Sequence, residues 1–286
     1  MTSTFMEHAR SCGLIMRDLQ SDNRWHRVPT TDHPKKRNGS YIFDGRHGAA
    51  MNWGTMSDPA GYSEGTEAGT IVRVPPQATT PRESDEERQE RARKAAATMI
   101  RRCGRAPHPY LTAKGFPRAV GLINEHRELV IPMRDMRDYS TVNTLQCITP
   151  TGEKRFLPGG KAKGSVLSFA CPGWRERWLV EGYATGLSVQ AALRDLRRKA
   201  EVIVCFSAGN LVHVASWLRF DAASRVGKQW DRLLVFADND ASGTGAAAAD
   251  QTGLKWTMPD VVGMDANDAH LKLGLRSVVQ KMLTIS

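Results

Sequence analysis

The sequence contains no C-x-x-C pair. Its five cysteines, Cys12, Cys103, Cys147, Cys171 and Cys205, are scattered and odd in number. That excludes a cysteine zinc ribbon, argues against a disulfide framework and points to a reducing cytoplasm. No apolar run approaches the roughly 20 residues that a membrane span needs. No apolar stretch follows a basic start, so no secretory signal is expected. The phosphate-cradling pattern G-x-x-x-x-G-K-[ST] is absent too, since Gly227-Lys228 runs into Gln229. What remains is an ordinary globular composition: 286 residues, 41% hydrophobic and 24% charged, long enough for about two domains. Its 40 Lys and Arg against 30 Asp and Glu give +10, the balance of a chain that meets a polyanion. The surplus is uneven. Residues 1–176 hold 27 basic and 19 acidic residues, and residues 177–286 hold 13 and 11.

The pattern along the chain divides it into segments. Residues 1–74 read as a small β-rich leader module, with strands at Trp25–Val28, Ser40–Phe43 and Met51–Trp53. Asp44-Gly45 supplies a turn, and a Gly-rich stretch runs through Gly69. Residues 75–106 read as a linker, with Pro75, Pro76 and Pro81 ahead of a charged helix. That helix runs from Asp85 through Lys94 into Ala95-Ala96-Ala97 and reads as a solvated spacer. Residues 107–176 read as a basic β-rich subdomain of α+β type, with strands at Glu128–Pro132, Thr144–Ile148 and Lys154–Leu157. Residues 177–286 alternate between strands and helices. Strands are expected at Trp178–Val180, Glu201–Phe206, Arg232–Ala237 and Lys255–Met258. The helices lie at Ala184–Leu196, Leu211–Phe220, Ala241–Gly253 and Ala269–Leu283. This is the pattern of an α/β domain with a mainly parallel, Rossmann-like sheet.

Acidic residues fall at the strand ends of that last region: Glu181, then Asp238 and Asp240, then Asp265 and Asp268 before the last helix. In an open parallel sheet, ligands bind beyond the carboxyl ends of the strands. Carboxylates gathered there repel one another unless a cation sits among them. Hard oxygen ligands suit Mg²⁺, with Mn²⁺ as a substitute. If strand geometry persists through Asp238-Asn239-Asp240, both carboxylates face the same side. A lone D-x-D can instead be a capping cluster, and Asp240 is placed to cap the following Ala-rich helix. Gly243-Thr244-Gly245-Ala246-Ala247-Ala248 fits the dinucleotide fingerprint G-x-G-x-x-A. It follows two carboxylates that repel a pyrophosphate, and it follows the third strand of the unit rather than the first, so a nicotinamide or flavin site is discounted.

Glu181-Gly182, Asp238-Asn239-Asp240 and Asp265-Ala266-Asn267-Asp268, in this order and context, resemble the Toprim domain of bacterial-type primases, topoisomerases and some nucleases. His108-Pro109-Tyr110-Leu111 with Lys114-Gly115, Lys154 through Gly160, and Ser207 through Leu211 resemble the catalytic core of phage and plasmid Toprim primases. His26–Pro29, Gly39–Tyr41 and Asn52-Trp53 resemble the leader module of that group. The resemblance implies a DNA primase: a nucleotidyl transferase that makes short RNA primers on single-stranded DNA from NTPs, in phage or plasmid replication in the bacterial host cytoplasm. It implies Glu181, Asp238 and Asp240 as catalytic Mg²⁺ ligands, with Asp268 and Asp265 supporting. Lys114, Lys154, Arg155, Lys161, Lys163 and Asn210 would hold nucleotide or template. Departures from the family pattern are the missing zinc ribbon and the missing helicase, which would be a separate chain. His8 with Cys12 and Cys103 with His108 lack second pairs, so no zinc site is expected.

Two other classes stay open. One is a Toprim nuclease that cuts DNA; a topoisomerase is disfavoured because it needs a nucleophilic tyrosine in a partner domain. The other is a nucleic-acid-binding or host-interfering factor of phage or mobile-element origin that keeps the fold without the catalysis. Among the seven tryptophans, Trp178 and Trp217 lie in apolar patterns and read as core, while Trp53 and Trp174 are the candidates for base stacking.

Overall fold

A computed structural model describes residues 4–64, 83–224 and 231–285, with the backbone alone over 222–224. Residues 65–69 of the Gly-rich stretch, the prolines Pro75, Pro76 and Pro81, Gly227-Lys228 and Trp230 lie outside the described residues. The chain divides into two compact units, Met1–Arg82 and Glu83–Ser286.

The first unit opens with helix α1 (Phe5–Ser11), started by a capping box in which Thr4 and Glu7 satisfy each other's backbone amides. Strands β1 (His26–Val28), β2 (Gly39–Phe43), β3 (His47–Asn52) and β4 (Ala60–Ser63) follow and pair antiparallel in that order. The Asp44-Gly45 turn joins β2 to β3. Gly45 takes φ +105°, and the Asp44 carboxylate accepts the amides of Arg46 and His47. Phe5, Leu14, Tyr41 and Phe43 form the core of this unit. Sequence reading missed α1 and β4; both are short, and each is defined by packing on β3.

The second unit begins with α2 (Asp85–Arg102). This helix is no solvated spacer: it buries Ala92 and Ala96 against the sheet, where Ala96 meets Val130, Leu145 and Cys147. After it come β5 (Gly104–Pro107), α3 (Pro109–Ala113), β6 (Val120–Ile123), β7 (Leu129–Asp135), β8 (Val142–Ile148), β9 (Lys154–Phe156) and β10 (Ser165–Ala170). The alternating half follows: β11 (Glu176–Val180), α4 (Tyr183–Asp195), β12 (Ala200–Val204), α5 (Ala208–Ser224), β13 (Arg232–Phe236), α6 (Thr244–Thr252), β14 (Lys255–Thr257), α7 (Ala266–Leu273) and α8 (Leu275–Leu283). The single last helix expected from the sequence is two, because Gly274 at φ +85° separates α7 from α8.

All these strands join one ten-stranded mixed sheet. Strands β14, β13, β11 and β12 are parallel neighbours in that order, and β10 pairs antiparallel with β12. The antiparallel part, β5 to β9, is attached through β10 as well. The first residues of β10 pair with β7 (Ser165↔Asp135, Val166↔Arg134), and the rest, Leu167–Ala170, pair with β12. The division at 176/177 read from the sequence therefore falls inside one sheet. The central parallel strands β11 and β12 are buried on both faces, as βαβ connections require. Trp178, Val180, Val202, Val204, Leu234 and Phe236 pack under α4, α7 and α8. The intervening Leu179, Ile203 and Val235 pack under α5 and α6. Each such side chain contributes roughly 1.5–3 kcal/mol by leaving water. Among the described residues, no helix is long and apolar enough to cross a membrane.

Candidate active-site cleft

The carboxyl ends of β11 and β13 deliver Glu181 and Asp238, and the N-cap of α7 delivers Asp265, to one cleft of about 330 Å³. Its other wall is the antiparallel half of the sheet: Gln146 from β8 and Lys154, Arg155 and Phe156 from β9. Gly182, Tyr183 and Phe206 complete the lining. Carboxylates thus face cations across a gap, at the sheet end where the topology places ligands.

Charge is unevenly distributed among the acids. Burial pushes the Asp238 carboxyl up to about 8, with Asp265 and Glu181 adding repulsion and Lys154 opposing it. Glu181 is also raised, by burial first and by Asp240 second. The Oδ1 of Asp238 is buried without a hydrogen-bond partner. A buried polar atom left unpaired is costly, and a cation there would remove the cost.

Asp240 behaves differently. Its carboxylate accepts the amides of Ser242 (3.0 Å), Thr244 (3.2 Å) and Gly245 (2.6 Å), and also the Ser242 hydroxyl. These donors, Ser242 foremost, hold it down at about 2. Helix α6 begins at Thr244 rather than Ala241, with Gly243 as its left-handed N-cap residue, so Asp240 caps the first turn from a distance. It does not line the cleft, although its charge is felt at Glu181 and Asp238. Strand β13 ends at Phe236 and Asn239 then bridges Met264; of the two aspartates flanking Asn239, Asp238 lines the cleft and Asp240 does not. Asp265 and Asp268 form a capping box, with 2.8 Å from the Asp268 amide to Asp265 Oδ1. The second oxygen of Asp265 accepts from Thr185 at 3.0 Å. Asp265 lines the cleft and Asp268 does not.

The cationic residues also separate. Lys154 is exposed, with its ammonium 5.9 Å from the centre of the Tyr110 ring. Arg155 is held by Glu128 at 2.7 Å, and Asn124 steadies that carboxylate at 2.8 Å. Lys161 approaches Asp135 at 4.0 Å, and Lys163 is exposed; neither lines the cleft. Lys114 is at the end of α3, where its carbonyl accepts from Asn267 at 2.9 Å. The side-chain amide of Asn210 is used within the protein. It accepts from the Gly164 amide at 2.8 Å and donates to the carbonyls of Ser165 and Cys205 at 2.9 and 2.7 Å. His108, considered above beside Cys103, caps α3 through Nδ1 and contacts the Arg127 carbonyl through Nε2.

The stacking candidates lie elsewhere. Trp53 belongs to the first unit, under the Arg27 guanidinium at 5.2 Å, and Trp174 lies under Arg177 at 4.4 Å. The aromatics of the cleft are Phe156, Tyr183 and Phe206. Sequence reading did not single these out as ligand-facing, although Lys154 and Phe156 are two apart on a strand and so share a face.

Among the described residues, no three His, Cys, Asp or Glu side chains converge closely enough to hold a metal ion by themselves. Mg²⁺ takes one or two carboxylates and completes its shell with water and substrate phosphates, so the donors Glu181, Asp238 and Asp265 suit it.

Fold and cleft together define a mixed α/β chain with an acidic centre at the ends of parallel strands and a basic wall opposite. No family model matches the chain. Among solved structures it is similar to the primase fragment of the bacteriophage T7 primase-helicase protein, with a TM-score of 0.39 and 16% identity over 54% of this chain. It spans 62% of that fragment. It is also similar to a chain in the bacteriophage T7 lagging-strand DNA polymerase structure, in which the polymerase interacts with primase domains of two gp4 subunits bound to an RNA/DNA hybrid and dTTP. There the TM-score is 0.42 and the identity 14%, over 60% of this chain and 84% of the other.

Proposed function

We propose that this chain is a primase-type nucleotidyl transferase that extends short RNA primers on single-stranded DNA, in a phage or plasmid setting. The observation that carries the reading is the pairing of Asp238, with its buried and unpartnered Oδ1, with Glu181 and Asp265 across from Lys154 and Arg155. Glu181 and Asp238 would supply the protein carboxylates to Mg²⁺, with Asp265 and the amide-fixed Asp240 as supporting charges. A bound divalent ion would supply charge neutralisation on the triphosphate and a lowered barrier for attack by a 3′-hydroxyl. Lys154 and Arg155 would bind phosphate and fix its register without reading sequence. Glu128 keeps the Arg155 guanidinium in place, and Thr185 with the Asp268 amide keeps the Asp265 carboxylate in place. Lys161 and Lys163, outside the cleft, would extend the grip to the template.

The test is primer synthesis on single-stranded DNA with NTPs and Mg²⁺. Asp238→Asn should lower product formation by about two orders of magnitude or more. Its stability should be about unchanged, because an acid that burial pushes up to about 8 is largely neutral already and is replaced by a neutral amide of the same size. Full primer synthesis by the variant would refute the assignment. DNA cleavage without added nucleotides would point to a nuclease instead.

A further inference from the structure

Phe156 is 44% exposed in the wall of a cleft otherwise lined largely by charged and polar groups. A single exposed phenylalanine is ordinary on a protein surface. This one is distinguished by its surroundings. It ends β9, a strand with all three residues exposed that pairs with β8 alone, so β9 stands at the sheet's edge. Lys154, two positions earlier on the same face, carries a charge that reaches both Glu181 and Asp238. The Phe156 ring meets Phe206 edge-on, at 6.5 Å between centroids and 81° between planes. Phe206 holds a left-handed backbone, φ +67°, at the turn between β12 and α5. An aromatic residue rarely takes that conformation, and such strain gathers at ligand sites. Phe206 therefore braces the ring, while the residue as a whole keeps 44% of its surface open to solvent.

We infer that Phe156 is the platform on which a nucleobase stacks in this cleft, an inference that rests on the nucleotidyl-transferase reading of the same site. The base lies against the ring and its phosphates extend along the β9 face to Lys154 and the carboxylate centre. Every base has a π-face, so such a platform accepts all four bases. The shared chemistry is a nucleobase, which either the incoming nucleoside triphosphate or the template strand brings.

The experiment measures binding of ATP, CTP, GTP, UTP, base-free tripolyphosphate, oligothymidylate and an abasic oligonucleotide to the full chain. Wild type is compared with Phe156→Ala and Phe156→Trp. In Phe156→Ala, affinity for all four NTPs should fall about 5- to 100-fold. Tripolyphosphate binding should be unchanged, and Phe156→Trp should restore the NTPs. If the loss appears with oligothymidylate instead, with the abasic strand unaffected, the stacked base is the template's and the platform stands. Unchanged affinity for every base-bearing probe, or an equal loss on tripolyphosphate and NTPs, overturns the platform while leaving wild-type binding and primer synthesis intact. Wild-type protein that binds neither NTPs nor DNA overturns the nucleotide site itself, and the platform with it.

Discussion

Gly245 has no room for a side chain. A Cβ there would lie 2.2 Å from the Asp238 carbonyl oxygen and 3.1 Å from an Asp240 carboxylate oxygen. The glycine lets the first turn of α6 close onto both aspartates, which explains why G-x-G follows the carboxylates with no dinucleotide involved. Gly245→Ala should destabilise by about 1–3 kcal/mol, because the atom it strikes hardest, the Asp238 carbonyl oxygen, is backbone. Gly209→Ala, in the first turn of α5 with nothing within 4 Å, should leave stability unchanged or raise it by about 0.4–1 kcal/mol. Chemical denaturation of the two variants checks the contrast. Glu181 and Asp238 were legible as cleft residues because the ends of parallel strands converge whatever the loops do. The sequence named both Asp240 and Asp265; that Asp265 lines the cleft and Asp240 does not was not legible, since it depends on which amides the 241–245 turn aims at Asp240. Phe156 was missed because its exposure depends on β9 ending the sheet, a tertiary fact.

At the level of elements, the joint between β7 and β10 matters most, and it was the least readable. Ser165–Ala170 carries no clear alternation, and its partners lie far off in sequence, on β7 and β12. The helices were readable because their periodicity is local. Even the break between α7 and α8 had a signal in Gly274, a residue suited to ending a helix. Asp135 ties this joint together. It accepts from Arg137 at 2.9 and 3.1 Å and from Asn143 at 3.3 Å, and Asn143 also donates to Ser165 at 3.0 Å. The Arg137 hydrogen bonds foremost, against the cost of burial, hold the Asp135 carboxyl at about 2. A depressed carboxyl stabilises the fold above its unfolded value near 3.8, and that contribution is lost as pH falls through the folded value. Asp135→Asn should therefore cost about 1–3 kcal/mol at neutral pH. The gap to wild type should close between about pH 4 and pH 2, as urea melts at several pH values will show.

At the scale of the whole molecule, each hydrophobic cluster draws its described residues from one unit only. Residues 83–286 expressed alone should therefore unfold in one cooperative transition, with coincident near- and far-UV circular dichroism. A molten fragment would contradict this. The sequence readily separated a leader from the rest, because Pro and Gly gather between them. It suggested a second boundary at 176/177 because strand alternation changes there, but a change of pattern along the chain is no break in a sheet. The β10 joint has a mechanical consequence. The acidic and basic walls of the cleft are two regions of one pleated surface, connected through two residue pairs to β7 and braced by the Asn210 amide. The two walls also share a packed core, in which Ala184 of α4 meets Tyr110, Leu129, Ile131 and Ile148, so the width of the gap is a property of that packing and is fixed before any ligand arrives.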